Sequence, residues 1–273
     1  MVLPQPSKLM SWVRFPSAAH FYFIMKVFIK YNIIGAFLLI LLISSSCFKS
    51  KEEIEKDKIE AASFIKEANK LFFENKYQKA LNLYLKAINI YDFKKGEIYY
   101  KIGFSYDKGN NNLEKAEKYY KKALKLFKNS SSPSNIKYIA AIYFNLGIIA
   151  AKRNKIEEKK NYLYHSFQLL KKILKSGNAS GLDIFRIAYY YMDIGDNEKA
   201  IKYFLKAASL LKKENPFHFY YSGAYFNIGI IYWKKEDINT ALYYWKKALN
   251  ISPDNKLYNE WYNKALLIKN STS

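Results

Sequence analysis

The sequence predicts an all-α protein: an α-solenoid of about five helix hairpins with a capping helix at its C-terminal end. Composition is the first observation that predicts helices. Half of the 273 residues are apolar, yet only 10 are Gly and 6 are Pro, which is typical of an α-rich chain. Spacing is the second observation, because Ile, Tyr and Phe recur three and four residues apart rather than two.

Small residues at matching places in five segments are the third observation. The segments begin near residues 61, 96, 140, 181 and 222, and 14 of their 15 matching places hold Gly, Ala or Ser. Two antiparallel helices can approach closely where such residues face each other. The places are Ala68, Ala80 and Ala87; Gly103, Ala116 and Ala123; Gly147, Lys159 and Ser166; Ala188, Ala200 and Ala207; and Gly229, Ala241 and Ala248.

The first 46 residues are expected to lie outside the folded domain. Residues 1–24 fit neither a signal peptide nor a repeat, so we expect an upstream extension of the reading frame, with Met25 as the true initiator. Residues 25–46 are typical of a signal peptide, with a basic start and an apolar run from Ile33 to Ile43. Such a run is short for a membrane-spanning helix.

Three serines followed by a cysteine end this segment, at residues 44–47. They resemble the lipobox of bacterial lipoproteins, which implies cleavage before Cys47, acylation of that residue and an exported protein anchored to a bacterial membrane, on its periplasmic side or at the cell surface. Ser44 departs from the pattern, which prefers an aliphatic residue there. An uncleaved anchor with an incidental cysteine is the alternative. Residues 47–60 are then the lipidated cysteine and a charged tether.

The last of the five segments shows the repeat most clearly, and its pattern resembles the tetratricopeptide repeat, W-x2-L-G-x2-Y followed by A-x3-F-x2-A and P. The resemblance implies five helix hairpins, followed by a capping helix and tail at residues 256–273 that cover the open end of the array. Glu67 and Lys159 depart from the pattern. The residues that carry the match are Tyr225, Ile228, Gly229, Tyr232, Ala241, Trp245, Ala248 and Pro253, and the repeats are 61–94, 96–130, 140–173, 181–214 and 222–255.

In that family the first helix of each repeat lines a concave groove that binds partners. Carried onto this sequence, the groove positions are apolar or aromatic, which favours the apolar anchors of a protein or peptide partner. Internal packing of the same side chains, or filling of the groove by the chain's own termini, is the alternative. The implied groove residues are Tyr100, Phe104, Phe144, Ile148, Phe185, Tyr189, Met192, Phe226, Ile230 and Trp233.

The formal net charge of +22 prompts a search for an anionic partner. Lys, Asn, Ile, Tyr and Phe are all abundant, and AT-rich codons specify them, so codon bias explains much of the charge. Lysines on the outer helix faces are expected near anionic lipid or acidic partners. Export would separate the domain from nucleic acid, so no nucleic-acid partner is expected.

Catalytic signatures are missing from the sequence. It contains no His-Glu-x-x-His, no phosphate-binding Gly-rich loop and no Gly-x-Ser-x-Gly. One cysteine allows neither an internal disulfide nor a thiolate metal cluster. We therefore expect no enzyme, no cofactor and no metal site.

The sequence thus predicts a membrane-anchored scaffold that binds a protein or peptide partner in cell-envelope assembly or organisation. The alternative is a structural or surface-exposed lipoprotein with a self-occupied groove. The partner, the choice of inner or outer membrane and the oligomeric state stay open.

Overall fold

The computed structural model describes residues 49–127, 132–214 and 219–272. Within these ranges the chain forms eleven α-helices and no strand, which confirms the all-α prediction. The predicted extension, signal peptide and Cys47 lie outside the described residues. The helices are α1 (Lys51–Phe73), α2 (Tyr77–Ile90), α3 (Gly96–Gly109), α4 (Leu113–Phe127), α5 (Pro133–Lys152), α6 (Ile156–Lys175), α7 (Gly181–Asp193), α8 (Asn197–Glu214), α9 (Phe219–Lys234), α10 (Ile238–Ile251) and α11 (Lys256–Thr272).

The chain divides into two compact units, one up to Ile59 and one from Glu60 onwards. In the first, the described residues are those that begin α1. A reciprocal capping box starts this helix, because the Glu53 amide donates to Ser50 Oγ (3.1 Å) and the Ser50 amide donates to Glu53 Oε2 (2.7 Å). Such a cap satisfies backbone donors that the first turn leaves unpaired.

In the second unit the helices pack as successive hairpins, here called helix pairs 1 to 5: α3–α4, α5–α6, α7–α8 and α9–α10 are pairs 2 to 5. Pair 1 is α2 with the part of α1 that follows Glu60, joined by the Tyr84 hydroxyl, which donates to Asn69 Oδ1 at 2.7 Å. The second helix of each pair also packs against the first helix of the next pair, and the first helices α3, α5, α7 and α9 meet their neighbours. This connectivity is that of an α-solenoid, as the sequence predicts.

The small residues predicted to face each other are interior. All fourteen Gly, Ala and Ser places are buried. The exception, Lys159, keeps its side chain 21% exposed and forms an ion pair with Asp193 of the next pair. A methyl group added at Gly103 would lie 2.9 Å from Tyr120, and one at Gly147 would lie 2.9 Å from Leu163, so larger residues do not fit there.

The turn inside each pair contains one residue with positive φ. Asparagine, which tolerates this left-handed conformation, provides three of the five, and glycine provides one. Glu236, with φ of 61°, is the exception. The five residues are Asn75, Asn111, Asn154, Gly195 and Glu236.

Helix α11 covers the last pair, as predicted for a capping helix. Tyr258 is 2% exposed and stacks on Phe226, with ring centroids 4.5 Å apart. Trp261 lies 5.6 Å from Trp245, centroid to centroid. The apolar face of α9–α10 is thereby removed from water.

Candidate partner-binding surface

The first helices α3, α5, α7 and α9 form one side of the array, and their exposed side chains are here called the first-helix face. The ten residues predicted to line a groove all lie on these helices. They fall into two groups of five by burial. Those buried are Tyr100, Phe104, Phe144, Phe185 and Phe226, and those partly exposed are Ile148, Tyr189, Met192, Ile230 and Trp233.

Four of the buried rings join neighbouring pairs. Each contacts an aromatic ring that belongs to the next first helix or to the cap, at centroid distances that are favourable for aromatic pairs. These residues therefore hold successive pairs together and offer little surface to a partner. The contacts are Tyr100 with Tyr138 (5.3 Å), Phe144 with Tyr189 (5.3 Å), Phe185 with Tyr220 (4.8 Å) and Phe226 with Tyr258 (4.5 Å).

The partly exposed group contains the side chains that a partner can reach. Ile148, Tyr189 and Met192 lie on α5 and α7 and pack at the edge of one core cluster. Ile230 lies on α9. Trp233 is further covered, because its ring contacts Trp261 of the cap at 6.0 Å. The accessible apolar residues thus follow pairs 3, 4 and 5.

Buried polar residues lie on the same first helices, and their burial was not predicted from the sequence. Arg186 is 6% exposed, and its Nη1 donates to Asp183 Oδ1 at 3.2 Å. Burial alone would lower the pKa of Arg186, but the phenol of Tyr100 and the Asp183 carboxylate outweigh it, so that the pKa is raised. Its Nε has no hydrogen-bond partner among the described residues. The repeat pattern did contain a signal, because the same place holds Lys, Arg or Asn in all five repeats. Its occupants in pairs 2 and 3, Lys101 (5% exposed) and Asn145 (2% exposed), are buried as well.

Hydrogen bonds link pairs 2 and 3 beneath the same face. Asn145 is 2% exposed, and its Nδ2 donates to the Tyr120 hydroxyl at 3.0 Å. Burial raises the pKa of Tyr120 and raises that of Tyr100 to about 12. Both phenols are therefore neutral at ordinary pH and act as hydrogen-bonding groups rather than as acids.

Pairs 2 and 5 approach each other across the first-helix face. Lys108, at the end of α3, places its Nζ 5.8 Å from the ring of Phe219 at the start of α9. The same Nζ lies 3.0 Å from Asp107, whose carboxylate also pairs with Lys152 of α5 at 3.3 Å. Burial would lower the pKa of Lys108, but nearby Tyr220 and Asp107 raise it, so the amine stays charged. The start of α9 therefore lies close to the end of α3, and it covers part of the first-helix face there.

Three further features of the described residues concern metal ligands, a pocket and a long apolar helix. Among the described residues no three His, Cys, Asp or Glu side chains are grouped as metal ligands. A shallow pocket of about 370 Å³ lies between the α1–α2 turn and the end of α3, lined by residues such as Tyr77 and Gly109. Helix α5 is long and apolar enough to cross a membrane, but half of its apolar window is buried, as in the core helix of a helical array.

Known proteins that are similar to this chain contain the same kind of repeat. Two family models, both described as tetratricopeptide repeat, match residues 96–130 and 182–254. A thermophilic TPR protein of Thermus thermophilus aligns with a TM-score of 0.54 at 18% identity, over 76% of this chain and 99% of that one. The apo form of RapI aligns with a TM-score of 0.52 at 18% identity, over 77% and 81%.

A third solved structure, the Cut9–Hcn1 hetero-tetramer of the APC/C, aligns with a TM-score of 0.51 at 17% identity, over 76% of this chain and 36% of that one. No curated protein sequence matches the chain. At these identities the similarity concerns the fold alone.

Proposed function

Because this chain is a tetratricopeptide repeat protein, we propose that it is a non-catalytic scaffold that binds a protein or peptide partner on the first-helix face of pairs 3 to 5. Such arrays present extended surfaces built from rigid helices. The observation that carries the proposal is the partly exposed row of Ile148, Tyr189, Met192 and Ile230 on three successive first helices.

The chemistry of this row favours a partner with apolar anchors. Aromatic and aliphatic side chains held on helices lose little conformational entropy when they bind. An amphipathic helix or an extended segment presents such anchors at regular spacing. Asn145 joins α5 to α4 through its bond to Tyr120, whereas Arg186 bonds to Asp183 within α7.

Site-specific photo-crosslinking tests this proposal. A photoreactive residue at Met192 or Ile230 is expected to form one adduct of defined mass with a cellular partner. The same residue at the exposed Leu205 or Tyr243, on second helices, serves as the control and is expected to form none. Equal adducts at all four positions, or none at Met192 and Ile230, would contradict the proposal.

A matched pair of variants tests the same surface by affinity. The triple change Ile148→Ala, Met192→Ala and Ile230→Ala is expected to weaken partner binding at least tenfold, because several apolar anchors are lost together. Its control is Leu126→Ala, Tyr164→Ala and Leu205→Ala, three exposed residues of second helices. Phe185 is not a suitable test position, because it is 4% exposed and its loss would open the core.

We further propose that the protein is exported and anchored to a bacterial membrane through Cys47, where it serves cell-envelope assembly or organisation. The sequence from Met25 to Cys47 supports this part of the proposal. Mass spectrometry of the membrane fraction is expected to detect an acylated Cys47 at a new N-terminus, and Cys47→Ser is expected to block processing. A peptide that spans residues 40–50 in the mature protein would contradict it.

The contact between Lys108 and Phe219 favours one second candidate, a structural protein whose face is occupied by its own helices. Phe219→Ala distinguishes the two functions. If the face is self-occupied and serves no partner, neither the unmodified chain nor Phe219→Ala is expected to form a defined crosslinked adduct at Met192. A defined adduct in the unmodified chain that Phe219→Ala leaves unchanged would exclude this candidate.

A further inference from the structure

Positive charge is concentrated on the second helices of the array. Helices α4, α6, α8 and α10 carry 17 lysines against 6 acidic residues, a formal charge of +11. The first helices α3, α5, α7 and α9 carry 6 basic against 4 acidic residues, a formal charge of +2. The exposed side chains of α4, α6, α8 and α10, here called the second-helix face, therefore carry half of the chain's net charge of +22 and far more than the first helices do.

The few acidic residues of this face lie mainly where helix geometry favours them. Four of the six are in the first turn of their helix, where a carboxylate complements the helix dipole. Beyond the first turns, the face carries lysines with few carboxylates near them. The four first-turn residues are Glu114, Glu157, Glu158 and Glu198.

Large apolar side chains are exposed between these lysines. Leu126 of α4 is 38% exposed, Tyr164 of α6 is 48% exposed, Leu205 of α8 is 42% exposed and Tyr243 of α10 is 54% exposed. Each of the four second helices thus presents at least one such residue together with lysines, and α6 also presents Ile156, which is 51% exposed. Exposed leucine and tyrosine among lysines are a combination that suits the interface of a bilayer, where aliphatic stems and rings enter and amines stay at the headgroups.

We propose that the second-helix face docks on an anionic lipid bilayer, so that the first-helix face is left free for the partner. Charge complementarity supports this occupant, since each lysine near an anionic membrane surface strengthens binding. The charge is spread over four helices without a defined pocket, which suits a continuous charged surface better than one acidic ligand. The exposed apolar residues favour a bilayer over a soluble polyanion.

Vesicle binding by the full chain tests the proposal. Two partition coefficients are measured, one for anionic vesicles of phosphatidylcholine with phosphatidylglycerol and one for neutral vesicles of phosphatidylcholine alone. The quantity compared is the first divided by the second. The apolar run of residues 33–43 is present in every variant, and each variant is measured on both kinds of vesicle. Its contribution to membrane binding therefore cancels in this ratio. We expect the ratio to exceed about ten at low salt and to fall as ionic strength rises.

A matched pair of charge variants locates the binding face. Lys125→Gln, Lys172→Gln, Lys202→Gln and Lys206→Gln remove four exposed lysines from α4, α6 and α8. Their control removes the same charge from outside this face. Because the net charge is equal, only the position differs, and we expect the ratio to fall about tenfold or more in the first variant alone. The control variant is Lys66→Gln, Lys70→Gln, Lys234→Gln and Lys256→Gln.

Apolar changes separate a bilayer from a soluble polyanion. Leu205→Ser with Tyr243→Ser is expected to lower vesicle binding without changing its salt dependence, because side-chain insertion is lost and charge is kept. A ratio near one, or an equal loss in both charge variants, would overturn the proposal. It would also fail if inorganic polyphosphate bound as tightly as the anionic vesicles and the apolar changes had no effect.

Discussion

At the scale of single residues, Gly229 shows why small side chains recur in this chain. A methyl group built at Gly229 would collide with Trp245, whose indole Nε1 donates to the Phe226 carbonyl at 3.1 Å. We expect Gly229→Ala to lower the free energy of unfolding. Overpacking costs about 1–3 kcal/mol, and the higher helix propensity of alanine offsets about 1 kcal/mol. Denaturant titration of the full chain measures the difference.

Gly223, on the same helix, is the matched control. An added methyl group there would have its nearest neighbour, the Tyr258 hydroxyl, at an ordinary 3.6 Å. Gly223→Ala is therefore expected to leave stability unchanged or to raise it by up to about 1 kcal/mol. If both substitutions had the same effect, close packing at Gly229 would not explain its glycine.

Lys159 shows that an ion pair between two repeats could not be predicted from the pattern within one repeat. The repeat pattern predicts a small residue there, and the small neighbours at Gly147 and Ser166 are indeed buried. The lysine is accommodated because its amine reaches Asp193, which belongs to the following pair. A pairing between two repeats depends on their relative rotation, and the pattern within one repeat contains no information on it.

At the scale of helices, a lysine of the second helix lies against a ring of the first helix in three of the five pairs, and in pair 3 the imidazole of His165 packs against a ring at the same place. The arrangement joins the two helices of a pair at their outer edge, where a cation over a ring contributes about 0.5–1 kcal/mol. In pair 4, Ile184 takes the place of the ring and Lys206 that of the basic residue. The contacts are Lys86 with Phe64 (4.0 Å), Lys122 with Tyr99 (4.0 Å), His165 with Tyr143 (5.5 Å) and Lys247 with Tyr225 (5.6 Å).

Lys86→Gln tests this contact. The change keeps most of the aliphatic stem and removes the charge over Phe64, so we expect a loss of about 0.5–1 kcal/mol in stability. Lys206→Gln is the control, because an aliphatic side chain replaces the ring in its pair, and it is expected to have no effect. Hydrogen exchange of the α2 and α8 amides measures both changes locally. A larger loss in the control would contradict the interpretation.

Helix boundaries explain why the burial of the first-helix rings could not be predicted from the sequence. The repeat spacing predicts helices that begin near residues 140 and 222, whereas α5 begins at Pro133 and α9 at Phe219. The added N-terminal turns carry Tyr138 and Tyr220, which cover Tyr100 and Phe185. The repeat pattern does not include these turns. Side chains that the pattern of one repeat places on the surface are therefore covered by the first helix of the next repeat.

At the scale of the whole molecule, buried tyrosines predict a loss of stability in alkali. Burial raises the pKa of Tyr100 and of Tyr189 to about 12, while an unfolded phenol ionises near pH 10. Between these values the unfolded chain has released protons that the folded chain retains, so the free energy of unfolding falls as pH rises. The expected slope is about 1.4 kcal/mol per pH unit for each such tyrosine.

Tyrosinate absorbance and circular dichroism measure this effect together. We expect the exposed phenols to ionise first and the buried ones only as helicity is lost, between about pH 10 and 12. Below about pH 9 the same groups are protonated in both states and contribute no pH dependence. Complete tyrosine ionisation near pH 10 with helicity unchanged would contradict the burial of these rings.

The stability of the whole array also depends on its end. In a solenoid each repeat packs chiefly on its neighbours, so removing a cap exposes one repeat rather than all of them. Tyr258 of α11 is 2% exposed and stacks on Phe226 of α9. Tyr258→Ala is therefore expected to cost about 3 kcal/mol, and hydrogen exchange should accelerate in α9–α11 well before α3–α4.

Leu267, on the same helix, is the control for the cap. Its side chain is 73% exposed, so Leu267→Ala removes no packed surface and is expected to change stability by less than about 0.5 kcal/mol. If Tyr258→Ala accelerated exchange equally in every helix, the array would unfold as one cooperative unit. The first-helix face of pairs 3 to 5 would then depend on α11 as a whole, and partner binding would be lost along with the cap.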